Sequence, residues 1–381
     1  MMDIKDLREQ IDEIDARLVE LFGQRMDTAK KIAEYKKANG LPVLDACRER
    51  EKLSQVSRMS EEQIRDYTRV LYSLIFELSR SYQGSIVDKT SELYNDIKNA
   101  IDSTEKLFPK SAMIACQGTD GAYSQIACDK IFRDPQIMFY SSFEHVFTAI
   151  EKGMCKYGIL PIENSTAGSV NKVYDLMINR NFHIVRSTRI KIDHSLLAKP
   201  GVRLSDIKEV FSQEQAIAQC SEFLKSMPGV KVTPCENTAI AAEMVANSER
   251  TDVAAISSRY CAGIYGLNSL AHSIQDAGNN HTRFICISKD LEIYPGADKT
   301  SVMMVLSHKP GALYRVLARF YSLGINLIKL ESRPIPERDF EFMFYFDLET
   351  SVYSEEYARL MCELDGMCED FKYLGSYSEI I

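Results

Sequence analysis

The stretch Asn279-Asn280-His281-Thr282-Arg283-Phe284-Ile285-Cys286-Ile287 is a polar loop running into an apolar segment, the pattern of a strand entered at its mouth. A hydroxyl, a guanidinium and an aromatic ring at Thr282, Arg283 and Phe284 suit a small, anionic, ring-shaped substrate. Arginine fixes a carboxylate through paired hydrogen bonds. A threonine can give a hydrogen bond or a proton to a leaving oxygen. Taken alone, the same residues also describe a polar turn with a surface arginine, so the rest of the chain has to decide.

The 381 residues predict two to three domains, and 45% hydrophobic with 26% charged residues is ordinary for a globular protein. A net charge of -8 argues against a general nucleic-acid binder. No apolar run approaches the roughly 18 residues of a membrane span. Asp3, Lys5 and Asp6 charge the N-terminus where a signal peptide would be apolar. The ten cysteines are scattered, with no CxxC pair and no Cys/His cluster at metal-ligand spacing. The expectation is a cytoplasmic protein with reduced thiols, no metal and no cofactor.

Residues 1–87 read as helical. Ile4, Leu7, Ile11, Ile14, Leu18, Leu21, Phe22, Ala29 and Ile32 keep helical spacing until Gly40 and Pro42 stop it. Asp45 is placed to cap a second helix through Leu53 and Val56, and Ser60-Glu61-Glu62-Gln63 reads as a capping box opening a third. The first helix is too long for two shorter ones to cover, so pairing with a second copy is the natural way to bury its stripe. Arg25 and Lys36 lie within roughly 20° of one line on that helix, whereas Arg8 points about 100° away. Asp45, Arg48 and Glu49 share one side of the second helix, and Ser79 and Gln83 share one side of the third.

This pattern, with Leu7 to Asp12, Gln24-Arg25, Lys36, Asp45 to Arg50 and Ser79-x-x-x-Gln83, resembles the all-helical chorismate mutase domain. The resemblance implies an intertwined homodimer in which Arg8 serves the neighbouring subunit. It implies that Arg8, Arg25 and Ser79 hold the two substrate carboxylates and that Lys36 and Gln83 bond the ether oxygen. Glu49 and the Asp45 backbone would take the ring hydroxyl, with Arg48 completing the charged lining. Such an intramolecular rearrangement needs no nucleophile. It needs a compact conformer held in place and donors aimed at the charge growing on the ether oxygen.

Residues 88–110 are polar and form a connector, either a helix or an extended linker. Residues 111–290 alternate strand and helix. Met113 to Cys116 is a strand, followed by a glycine-containing loop through Gln125 and a helix from Ile126 to Phe132, an entry that favours anions. Tyr157 to Leu160 is a strand running into Pro161-Ile162-Glu163-Asn164-Ser165-Thr166, and ligands bind at such strand ends in open α/β sheets. Further strands are expected around Ile184-Val185, Leu196-Leu197, Val210, Val232 and Val253 to Ile256.

Gly118-x-x-Gly121-Ala-Tyr-Ser124, Pro161 to Ser165, Gln215 to Cys220, Asn237-Thr238-Ala239, Tyr265-Gly266-Leu267 and Thr282-Arg283-Phe284 together resemble prephenate dehydratase. The resemblance implies two α/β lobes with the site in the cleft between them. It implies that Thr282 gives the hydrogen bond or proton to the departing oxygen and that Arg283 is a carboxylate or structural anchor. Glu163, Asn164, Ser165, Thr166, Ser124 and Gln215 would line the pocket beside Phe284, and Asn237 and Thr238 would add donors from the second lobe. The chain departs from the family at Ser212-Gln213-Glu214-Gln215, where many members have Ser-His-Pro-Gln, so an acid at Gln213 is not expected. His281 is the alternative acid beside Thr282.

Residues 299–381 read as βαββαβ: strands at Ser301–Leu306, Gly324–Leu330, Glu341–Phe346 and Phe371–Tyr377, with helices after Pro310 and over Glu355–Leu364. This order resembles the ferredoxin-like, amino-acid-binding ACT domain. Gly311-Ala312-Leu313 and Glu331-Ser332-Arg333-Pro334 correspond to its phenylalanine-site motifs, with Asn326 on the facing strand. The helix-start amides of Gly311 and Ala312 could take a ligand carboxylate.

The whole resembles a three-part enzyme: an all-α mutase at 1–87, a linker at 88–110, a two-lobed α/β dehydratase at 111–290 and an α+β ACT unit at 299–381. It would turn chorismate into prephenate and then phenylpyruvate for L-phenylalanine biosynthesis, under phenylalanine inhibition, as a homodimer or higher oligomer with no nucleic-acid or membrane partner. Two alternatives accompany this expectation: arogenate as the dehydratase substrate, and a phenylalanine sensor built from a retired enzyme.

Overall fold

The computed structural model describes residues 3–87, 92–335, 338, 341–354, 357, 360–361, 363–364 and 368–381. The chain divides into two compact units, Met1–Asp96 with Lys309–Gly324 and Tyr353–Glu369, and Ile97–His308 with Ile325–Val352 and Asp370–Ile381.

The N-terminal helices are α1 (Ile4–Ala38), α2 (Ala46–Met59) and α3 (Arg65–Val87), followed by α4 (Glu92–Ser103). Gly40 ends α1 with φ +61°, and the Leu41 N–H closes on the Lys36 carbonyl at 2.9 Å, a left-handed cap that glycine makes cheaply. Asp45 caps α2 as expected, its Oδ1 accepting from the Arg48 N–H at 2.9 Å. The capping box expected at Ser60 does not form. Ser60 Oγ donates back to the Val56 carbonyl at 2.7 Å and so closes α2, while a 3-10 turn at Glu62–Ile64 leads into α3. The connector resolves as helix over Glu92–Ser103; positions 88–91 lie outside the described residues.

The α/β region contains β1 (Met113–Gln117), α5 (Tyr123–Ile131), β2 (Gln136–Tyr140), α6 (Phe143–Glu151), β3 (Tyr157–Asn164), β4 (Gly168–Ser169), α7 (Asn171–Asn179) and β5 (His183–Lys191). A second lobe follows with β6 (His194–Ala198), β7 (Glu209–Gln213), α8 (Glu214–Gln219), α9 (Ser221–Lys225), β8 (Lys231–Cys235), α10 (Thr238–Asn247), β9 (Val253–Ser258), α11 (Arg259–Tyr265) and β10 (Asn268–Ala271). The chain then returns to the first lobe as β11 (His281–Ser288). The second lobe holds its own five-stranded sheet, ordered β10-β6-β9-β7-β8.

The C-terminal part supplies β12 (Lys299–Val305), α12 (Ala312–Ser322), β13 (Asn326–Pro334), β14 (Phe342–Glu349) and β15 (Asp370–Ile380). The helix expected over 355–364 falls partly outside the described residues; Tyr357, Leu360, Met361, Glu363 and Leu364 are helical. The four strands are not a separate sheet. β15 is longer than expected: it pairs with β12 through Tyr377 and then, from Ser378 to Ile380, runs parallel beside β5. One ten-stranded sheet results, ordered β13-β14-β12-β15-β5-β11-β3-β1-β2 with β4 on β3. Gly375 has φ +135° at this junction, and a Cβ there would overlap the Ile184 carbonyl oxygen.

Helix α12 belongs to the other unit, with α3. Arg315 lies 3.7 Å from Glu77 and Arg319 pairs with Glu363, which also accepts from Ser81 Oγ at 2.9 Å. In the large sheet, β11 sets Phe284 and Cys286 into a core with Cys116, Phe132 and Tyr157, and Ile285 and Ile287 into another with Phe147, Tyr174 and Tyr345. Strand alternation separates the two faces, and it governs where the functional side chains go.

Candidate active sites

In the helical unit, Arg25 on α1 donates to Ser79 Oγ on α3, and its guanidinium lies 5.8 Å from the centre of the Phe76 ring. Burial pulls Arg25 below its ordinary value, and a partly desolvated cation attracts an anion more strongly than one in water. Lys36 Nζ donates to the Val43 carbonyl at 2.5 Å. Gln83 is 8% exposed, and its Oε1 has no hydrogen-bond partner among the described residues. Glu49 is held by Arg80, which also reaches Glu77 at 2.7 Å. Arg80, one position after Ser79, carries no signal in the sequence that separates it from the other charges of α3. Arg8 and Arg48 are exposed, Arg48 lying 3.6 Å from Glu51, and the Asp45 side chain is spent on its cap.

In the α/β unit the decisive residue is Asn164, at the end of β3 and opposite Thr282. Its Oδ1 accepts from the N–H groups of Thr166 (3.1 Å) and Ala167 (2.9 Å) and from Thr166 Oγ1 (2.7 Å). Backbone N–H groups can only donate, so the amide orientation is fixed. Nδ2 must then face Thr282 Oγ1, at 2.9 Å, and Asn280 Oδ1, at 2.7 Å. Thr282 accepts from Asn164, which leaves its own proton to be given away and polarises the O–H bond. Ser165 closes the turn, donating to the Asn279 carbonyl at 2.8 Å and accepting from the His281 N–H at 2.9 Å.

The orientation propagates into the second lobe. Asn280 Nδ2 donates to Gln219 Oε1 at 3.1 Å, and Gln219 Nε2 donates to Thr166 Oγ1 at 3.1 Å. Gln219 Oε1 also faces His194 Nε2 at 3.2 Å, which assigns that nitrogen the proton. Burial lowers His194 from 6.5, against the opposing hydrogen bond to Gln219. Asn280 and Gln219 were both within quoted motifs but were not chosen as site residues. Only the fold brings positions 164, 219 and 280 together.

Strand alternation turns Arg283 and Glu163 away from Thr282, whereas Phe284 stays on Thr282's side of β11. Arg283 is 3% exposed and faces away from Thr282. It bonds Asp347, Tyr377 OH at 2.8 Å and Glu163 Oε1 at 3.2 Å, the arrangement of a structural anchor rather than a carboxylate clamp. The other oxygen of Glu163 takes Lys329 Nζ at 2.7 Å. Burial pushes Glu163 up, but Lys329 and Arg283 outweigh it and hold the carboxyl below its ordinary value. Phe284 is core.

Ser124 Oγ is used by the Gln117 carbonyl at 2.6 Å, and Asn237 caps α10 by accepting from the Ile240 N–H at 2.8 Å, with Thr238 buried beside it. Gln215 is exposed. Of the expected effector residues, the Ala312 N–H is not free but bonds the Lys309 carbonyl at 3.2 Å. Gly311 heads α12 with Leu313 in its first turn. On β13, Glu331 accepts from Ser169 Oγ at 2.5 Å and Arg333 grips Asp175 at 2.8 and 3.0 Å, so both face the dehydratase-like lobe. Asn326 donates to Glu349 at 2.8 Å, and Ser332 is exposed on the opposite face of β13.

Two family models match: chorismate mutase type II over residues 7–84 and prephenate dehydratase over residues 114–292. A bifunctional chorismate mutase/prephenate dehydratase from Aquifex aeolicus is 33% identical across 100% of this chain and 99% of its own. This chain belongs to the bifunctional chorismate mutase/prephenate dehydratase family. It is an enzyme with both activities, serving phenylalanine biosynthesis. An arogenate dehydratase/prephenate dehydratase 2 from Arabidopsis thaliana is 36% identical over 69% of this chain and 72% of its own. Among solved structures, the prephenate dehydratase in complex with L-Phe from Arthrobacter aurescens has a TM-score of 0.65 at 30% identity, covering 70% of this chain and 90% of that one. No helix among the described residues is long and apolar enough to cross a membrane.

Proposed function

We propose that the two reactions use two separate sites, within domains at 1–87 and 111–290 joined by 88–110. In the mutase, Arg25 and Ser79 hold chorismate's carboxylates with Arg8 of a second copy, and Lys36 and Gln83 stabilise charge on the breaking ether bond. Glu49, oriented by Arg80, and the Asp45 backbone receive the ring hydroxyl, and Arg48 closes the lining. The exposed stripe Leu7, Ile11, Ile14, Leu18 and Leu21 along α1 supports a dimer in which a second chain covers it.

The dehydratase reading rests on one observation, the fixed Asn164 amide pointing its N–H at Thr282. Thr282 gives its hydrogen bond, and then its proton, to the ring hydroxyl of prephenate, which leaves as water, and the threonine oxygen takes a proton back from solvent. The ring carboxylate leaves as carbon dioxide, and its bonding pair enters the ring, which becomes aromatic. A threonine is a weak free acid, so polarisation by Asn164 contributes more than a matched pKa. Ser165 and Thr166 shape the turn.

The sheet order β13-β14-β12-β15 suits an ACT domain over 299–381, and a relative was solved with L-Phe. Phenylalanine would bind in this C-terminal region and would inhibit in the cytoplasm. Arogenate is the second substrate to test, because a relative carries that name.

Incubating the purified chain with chorismate tests the scheme. Phenylpyruvate formed without added cofactor supports it; accumulated prephenate directs attention to arogenate. Phenylalanine at millimolar concentration should slow the reaction, and an unchanged rate refutes the regulatory part.

A further inference from the structure

We infer that Lys329, on strand β13 of the C-terminal region, is a positioning residue for dehydration, acting through the β3–β4 hairpin. The hairpin carries Asn164 at the end of β3, opposite Gly168, and Glu163 stands opposite Ser169 in its register. Lys329 Nζ donates to both, at 2.7 Å to Glu163 Oε2 and at 3.0 Å to Ser169 Oγ. One ammonium therefore bridges the hairpin one step from the turn. Its side chain is only 14% exposed and lies 5.7 Å from the centre of the Tyr174 ring, so it is packed as well as paired.

β4 is only two residues long. Its pairing with β3 is secured from β13 by Lys329 and by Glu331 on Ser169. Within one residue of this clamp, Asn164 makes the contacts that direct Thr282. Releasing the clamp lets the turn shift, and a donor displaced by a fraction of an ångström no longer serves the departing oxygen. The first lobe is therefore incomplete as a catalyst without a strand from the C-terminal region, a dependence that no pattern in residues 111–290 shows. The inference rests on Thr282 and Asn164 being the dehydration site, and the experiment tests both.

The test uses the full chain and compares prephenate dehydration in Lys329→Met, Lys329→Arg, Glu163→Gln and Lys329→Met/Glu163→Gln, with Thr282→Val as reference. The mutase rate of each variant is an internal control for folding. Lys329→Met should lower the dehydratase kcat at least tenfold with KM changed less than threefold and the mutase rate retained. Lys329→Arg should recover most of the loss. Because Lys329 acts through Glu163, the double variant should be no worse than Lys329→Met alone. A Lys329→Met enzyme with kcat within twofold of the parent, or strictly additive losses in the double variant, overturns the inference. So does a Thr282→Val enzyme that still dehydrates prephenate, which would also remove the site reading; an inactive Thr282→Val beside a normal Lys329→Met would remove the Lys329 role alone.

Discussion

Replacing Asn164 by Asp changes almost no volume but inverts one donor. In the parent, Oδ1 is committed to Thr166 and Ala167, and Nδ2 serves Thr282 at 2.9 Å and Asn280 at 2.7 Å. An aspartate keeps the first set and faces the second with an acceptor. Thr282 would turn its proton toward Asp rather than the substrate, and the Asn280 carbonyl oxygen would meet another oxygen. Asn280 cannot simply flip, because its Nδ2 serves Gln219, whose own amide is held by Thr166. Losing one preorganised donor costs about 3 kcal/mol of barrier, on the order of a hundredfold in kcat. The acceptor clash adds about 1–3 kcal/mol of destabilisation. The variant's dehydratase kcat, followed as phenylpyruvate from prephenate, should therefore fall on the order of a hundredfold at neutral pH. The mutase rate should be unaffected. A variant with parental kcat at neutral pH, or one losing both activities in parallel, would refute the orientation of Asn164.

Arg80→Ala leaves Glu49 without its cation in the mutase site proposed above; after allowance for partial exposure the loss is about 1 kcal/mol, or roughly fivefold in mutase kcat/KM, with dehydration unchanged. Equal loss in both reactions would mean that Arg80 only supports the fold. Gly375→Ala forces a methyl against the Ile184 carbonyl where β15 passes from β12 to β5, at a cost of about 1–3 kcal/mol. Thermal unfolding should move down, and an unchanged Tm would contradict the junction. His194 is buried and lowered from 6.5, so the unfolded chain takes up a proton that the folded chain refuses. Its contribution to stability is complete above about pH 6.5 and is lost as pH falls through the lowered value. His194→Gln should flatten the acid side of the stability profile, and an identical profile would show that other groups carry it.

Much was legible in order along the chain. Helical periodicity, the Asp45 cap, the glycine stop at Gly40 and the succession of strands in 111–290 are local consequences of side-chain spacing and backbone freedom, and the structure repeats them. Thr282 and Asn164 were legible as types at strand ends, though not as donor and acceptor. Arg283, next to Thr282 in sequence, was not separable from it by motif. Pleating sends the two to opposite faces, and only Asp347 and Tyr377, 64 and 94 residues further on, settle what the guanidinium does. The partners of Glu163, Glu331 and Arg333 were not legible either, since they come from remote strands and, for Arg333, from α7. The sequence by itself determined which segments become helix or strand and which residue types could do this chemistry, because those depend on neighbours within a few positions. The tertiary structure alone decided that β15 joins two sheets into one, that Asn164, Asn280 and Gln219 converge near Thr282, and that Lys329 reaches the β3–β4 hairpin. Those outcomes depend on strand order and on which face each side chain takes, and no local rule encodes either.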